Sequence, residues 1–110
     1  MKNLIEHLLC KTLEKERQRV NRNLNRARER NLPATLTIFE WIGILDHFKF
    51  RCAYCKRAPA ETMEHVIAMR HGGGTTACNC IPLCTACHET QNTLESRAEA
   101  AVNRLKRIIS

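Results

Sequence analysis

Two Cys-x-x-Cys pairs, Cys52/Cys55 and Cys84/Cys87, dominate the middle of the chain, and between and beside them lie Glu64, His65, Asn79 and His88. Each two-residue gap lets a tight turn present two sulfurs to one point, and zinc favours four soft ligands in a tetrahedron. The spacing therefore predicts a structural zinc held by Cys52, Cys55, Cys84 and Cys87. Disulfides are the competing use for the seven cysteines. An odd count leaves no complete framework, and the N-terminal run is interrupted by Glu6 and His7 before any apolar stretch long enough for export. Of the other thiols, Cys78 and Cys80 are expected to be free and buried. Cys10 falls on the apolar side of a helix and reads as core.

A chain of 110 residues predicts one domain with a modest core, helped by a metal staple. Its 44% hydrophobic and 26% charged residues are ordinary, but the net charge of +7 is not. Such a surplus points to a polyanionic partner, even after four thiolates and their ion lower it to about +5. No stretch approaches the roughly 18 apolar residues that span a bilayer. A soluble protein of a reducing, cytoplasmic compartment is expected, with no membrane partner.

The elements that must hold these residues can be read in order. Leu4, Ile5, Leu8, Leu9, Leu13, Val20, Leu24 and Ala27 recur at helical spacing over residues 3–30, predicting one helix or two in tandem. Lys11, Lys15, Arg17, Arg19, Arg22, Arg26, Arg28 and Arg30 crowd its polar side against Glu14, Glu16 and Glu29. One reading is a solvated face laced with ion pairs. The other is an arm that tracks a DNA backbone through Arg19, Arg22, Arg26 and Arg30, since each phosphate neutralised releases counterions. A membrane-surface helix is disfavoured, because the apolar side lacks Trp and Phe.

After a break at Asn31-Leu32-Pro33-Ala34, Thr37 and Glu40 form a capping box for a second helix. Its stripe of Ile38, Trp41, Ile42, Leu45 and Phe48 reads as core, while His7 and His47 read as bystanders. Thr62–Ile67 has the half-alternating, β-branched look of a strand. Gly72-Gly73-Gly74 reads as a flexible turn, and Thr75 to Ile81 leads back to complete a hairpin. A helix from about Thr85 to Asn92 follows. A separate last helix carries Leu94, Ala98, Ala101, Val102, Leu105, Ile108 and Ile109 on one face. The expected class is α+β, one domain over 1–110: a basic helical arm (1–33), a zinc-stapled core (34–92) and a C-terminal amphipathic helix (93–110).

The run from Trp41 to Asn92 resembles the HNH endonuclease family in its zinc-stapled form. EWIGILDHFKFRCAYC is similar to the helix and first knuckle that precede the family's site. EHVIAMRHGG is similar to its Asp-His-[Ile/Val]-Ile-Pro-x-x-x-Gly-Gly strand and turn. NCIPLCTACH fits Asn, four residues, Cys-x-x-Cys, then His. The resemblance implies a small ββα-metal, treble-clef-like core and a metal-dependent DNA endonuclease or nicking enzyme leaving 5′-phosphate and 3′-hydroxyl ends. It implies that His65 is the general base, that Glu64 and His88 hold a catalytic Mg²⁺ or Mn²⁺, and that Asn79 ties loop to strand. The zinc of Cys52, Cys55, Cys84 and Cys87 would stand apart from the chemistry. Double-stranded DNA is the implied partner, the protein a monomer or homodimer, and the setting a bacterial or phage-infected cell.

Three positions depart from the pattern. Glu64 replaces Asp, one methylene longer, which favours Mn²⁺ over the geometrically strict Mg²⁺. Ala68 replaces Pro. Gln91 stands where many members carry a Lys, a charge that Arg70 or His71 could replace. On a regular strand Glu64 and His65 point to opposite faces, so a twist or bulge is expected to bring both into one site. Two other classes compete: a catalytically degenerate zinc module that only binds DNA or RNA, and a zinc-stabilised protein-interaction domain.

Overall fold

The computed structural model describes residues 3–109; the outermost positions of the expected 1–110 domain, residues 1–2 and 110, lie outside them. The first helix, α1 (Leu4–Glu29), is a single unbroken helix and not a tandem. Asn3 caps it by accepting from the Glu6 N–H at 2.8 Å. It ends where Asn31 turns left-handed, with φ 57°, and the Leu32 N–H reaches back to the Ala27 carbonyl. Only its second half packs. Val20, Leu24 and Ala27 are buried, whereas Leu4, Ile5, Leu8, Leu9 and Leu13 stay exposed. Cys10, expected in the core, is exposed with them, because no other element among the described residues covers that end of the helix.

The second helix, α2 (Ile38–His47), begins with the expected capping box, Thr37 and Glu40 each accepting the other's backbone N–H. Trp41 and Leu45 are fully buried. They meet Val20, Leu24, Leu36, Met63 and Cys80 in the larger apolar cluster, the association that burial of apolar surface drives. A polar tie runs through this core. Glu16 accepts from Arg19 at 2.7 Å and from the Trp41 indole N–H at 2.9 Å, and Arg19 donates on to the Glu61 carbonyl at 2.8 Å.

Strands β1 (Thr62–His65) and β2 (Cys80–Leu83) pair antiparallel, with Glu64 opposite Ile81 and His65 opposite Cys80. The strand expected to reach Ile67 stops at His65. The connection is not a flexible glycine turn. It folds through a 3-10 turn at Met69–His71 and is stitched to the segment after α1: Thr75 N–H donates to the Pro33 carbonyl, and its own carbonyl accepts from Thr35 and Leu36. Gly73 is required by contact, since a Cβ there would stand 1.7 Å from the Ile67 carbonyl oxygen. The two helices expected after the second knuckle are one, α3 (Thr85–Ile109). Nothing between Asn92 and Leu94 breaks a helix. Beyond that point Leu94, Val102, Leu105, Ile108 and Ile109 lie exposed. No helix among the described residues is long and apolar enough to cross a membrane.

Candidate active site and metal centre

The four paired cysteines converge. Their sulfurs lie within 4.8 Å of one another, and Cys55 and Cys84 are 4.0 Å apart. Sulfurs on a zinc tetrahedron of about 2.3 Å radius sit about 3.8 Å apart, so the donor set fits with small movements. Backbone donors already serve the thiolate form: Ala58 N–H points at the Cys55 sulfur at 3.5 Å and Cys87 N–H at the Cys84 sulfur at 3.4 Å. At Cys52 burial pushes the thiol up, but backbone N–H groups of Cys55, Cys84 and Tyr54 outweigh it and hold the thiol at about 6. At Cys87 the neighbouring thiols Cys84 and Cys52 push the other way, to about 12. Four crowded sulfurs cannot all ionise without a cation among them. All seven cysteines are free thiols. Cys80 is buried as expected, and burial raises it to about 11; Cys78 is exposed, a correction that follows from its place on the outer side of the loop before β2.

A cleft of about 410 Å³ is lined by Arg26, Arg30, Glu64, His65, Arg70, His88 and Asn92, among others. Glu64 Oε2 and His88 Nδ1 approach to 2.5 Å, a carboxylate oxygen and an imidazole nitrogen aimed at one spot. Asn92 stands 3.4 Å from the other nitrogen of the His88 ring. Glu64 and His65 do point to opposite faces, one half-buried and one buried, and the register runs through both without a bulge. Both nevertheless line the cleft.

His65 is held by a chain of hydrogen bonds that settles its tautomer. Its Nε2 lies 2.9 Å from the Thr75 hydroxyl, which stands 3.0 Å from the Asn23 carbonyl of α1. A hydroxyl has one proton and a carbonyl can only accept, so Thr75 donates to Asn23 and accepts from His65. Nε2 therefore carries the proton and Nδ1 is left as an acceptor. Burial, and after it the Arg26 charge, lowers the His65 pKa below the ordinary imidazole value, so the ring is neutral at neutral pH. Asn79 clamps the loop that starts beyond His65. Its side chain accepts from the Ile67 N–H at 2.8 Å and donates to the carbonyls of Ile67 and Gly74.

The basic residues divide. Arg26 and Arg30 line the cleft, and Arg22 is exposed on α1. Arg19 turns inward to Glu16 and is buried, so it cannot serve as the expected backbone contact. Arg70 and His71 both bind the Glu99 carboxylate, at 2.9 and 3.2 Å. Thr75, Asn92, Glu99 and the Asn23 carbonyl went unnoticed in the sequence; a Thr directly after a glycine run was the only available signal.

A hairpin running into a helix, with a cluster of four thiols and a carboxylate–imidazole pair, makes a small mixed domain of the ββα-metal kind. Residues 52–93 match the family model described as HNH endonuclease, the family that the knuckles, Glu64-His65, Asn79 and His88 resemble. Searches of curated proteins and of solved structures return no match.

Proposed function

We propose that this protein is a metal-dependent nuclease that hydrolyses phosphodiester bonds of double-stranded DNA, with His65 as general base. The family match supports a nuclease-type or nucleic-acid-binding function. The observation that carries the finer reading is the pairing of Glu64 with His88 in the cleft that His65 also lines. Glu64 and His88 would hold a hard divalent cation, Mg²⁺ or Mn²⁺, which when bound supplies charge relief at the scissile phosphate and the leaving 3′ oxygen.

The chain's own residues do the rest. Nδ1 of His65 accepts the proton of an attacking water, and its neutral state at physiological pH leaves it free to do so. Thr75 accepts from Nε2–H, so the ring cannot offer the wrong nitrogen, and the interaction strengthens as the ring gains charge. Asn79 keeps the loop that shapes the cleft in place. Arg26 and Arg30 bring positive charge to the cleft wall where a phosphate would enter. Cys52, Cys55, Cys84 and Cys87 would hold zinc as a structural staple. By analogy with the family, the products carry 5′-phosphate and 3′-hydroxyl ends.

The test is supercoiled plasmid incubated with Mg²⁺ or Mn²⁺, with and without EDTA, followed by sequencing of the ends. Metal-dependent nicking that H65A loses is the expected result. A salt-sensitive mobility shift without cleavage under any divalent ion would replace this reading with that of a binding module.

A further inference from the structure

Ion pairs neutralise only part of the positive charge that the sequence concentrates. Arg17 is neutralised by Glu14 and Arg19 by Glu16, while Arg70 and His71 share Glu99. Lys49, Arg51 and Lys56, like Arg22, Arg26 and Arg30 of α1, make no ion pair among the described residues. The first three, with His47 and Phe48, line a groove of about 510 Å³ on the knuckle side of the molecule. None of them lines the cleft of Glu64 and His88.

The backbone here is unusual as well. Lys49, Phe50 and Lys56 all have positive φ, between 57° and 60°. Glycine or asparagine suits such positions, and a long side chain there strains the backbone. Local hydrogen bonds hold the conformation: Lys49 N–H donates to the Asp46 carbonyl, Phe50 N–H to Leu45, and Lys56 N–H to Cys52. Two lysines at left-handed positions, beside an arginine in the bridge from Arg51 to Pro59, are not explained by backbone preference. Their shared property is an exposed cation.

We infer that this groove is a second nucleic-acid backbone site, in which Lys49, Arg51 and Lys56 each face a phosphate. Three unneutralised cations around a concave surface attract a polyanion and release its counterions. This rests on the nuclease reading only for the identity of the partner. The groove extends the footprint beyond the catalytic cleft and adds affinity without adding chemistry.

The test uses the zinc-loaded full chain with the triple variant K49N/R51Q/K56N, whose asparagines tolerate the left-handed backbone. Binding of a random-sequence DNA duplex is followed across a salt series, beside hydrolysis of bis(p-nitrophenyl) phosphate and the zinc content. Duplex affinity at low salt should fall about tenfold or more, and the salt slope by about 0.9 for each contact removed, up to about 2.7. Hydrolysis of the small diester should be unchanged, and K49R/K56R should bind as the parent does. Unaltered duplex binding with weakened zinc retention would overturn the inference, the cations then serving only to balance the thiolate cluster. Failure of the parent to hydrolyse any diester would sink the nuclease reading while leaving the duplex measurement decisive for the groove.

Discussion

The thiol cluster and the cleft beside it are both suited to cations, yet they are built in opposite ways. The cluster draws four soft donors from two sequence-local knuckles, converges them, and supplies backbone N–H groups to the sulfurs. The cleft offers one carboxylate and one imidazole from different elements and leaves the remaining volume open. A filled coordination shell stabilises a fold and does no chemistry, whereas an open one leaves positions for water and phosphate. Damage to the first should therefore spread through the molecule, and damage to the second should stay local.

The largest effect is expected from the cluster. C84S, or a strong chelator, should abolish the cooperative thermal transition and with it both DNA binding and cleavage, because structural zinc binding is worth about 10–16 kcal/mol of folding. Circular dichroism with zinc analysis checks this. A variant that keeps its fold without metal would erase the contrast. At the cleft, H65A should lower the cleavage rate about 10²- to 10⁴-fold while zinc content and melting temperature hold.

Between these lies a control that belongs to neither site. Glu16 holds Arg19 and the Trp41 indole together in the core. E16A should cost about 3–5 kcal/mol of stability, since it strands a buried guanidinium. Denaturant titration reads it, and cleavage per folded molecule should be preserved. A smaller effect sharpens the local side of the comparison: T75V should lower kcat about 10- to 100-fold with little change in KM, and T75S should restore it. Nitrogen chemical shifts of His65 should show the Nε2–H tautomer in the parent and a mixture in T75V. The smallest effect is in the pH profile. Because burial and Arg26 lower the His65 pKa, the neutral base persists on acidification, and activity should begin to fall only below about pH 6.5. An acid limb centred above that value would contradict the burial argument.

Local features were legible because their signals are local. The knuckles, the capping box at Thr37 and the Trp41 stripe each rest on spacing within a turn or two. The pattern of Leu4 to Leu13 was legible as a helix but not as an exposed one. Amphipathic spacing shows that a face could be buried and says nothing about whether another element reaches it. Likewise the glycine run is a turn by composition, whereas Gly73 sits against the Ile67 carbonyl in a stitched loop.

Residue identity and spacing alone determined the four-thiol cluster, where helix would form and the placing of Glu64 beside His65 on one strand. Only the folded chain decided which cations are neutralised, which thiol is exposed, and which nitrogen of His65 is left to accept a proton. That last choice depends on the Asn23 carbonyl, a backbone atom every residue possesses. Its role comes from where α1 lies against Thr75, and position in space is what a linear pattern cannot encode.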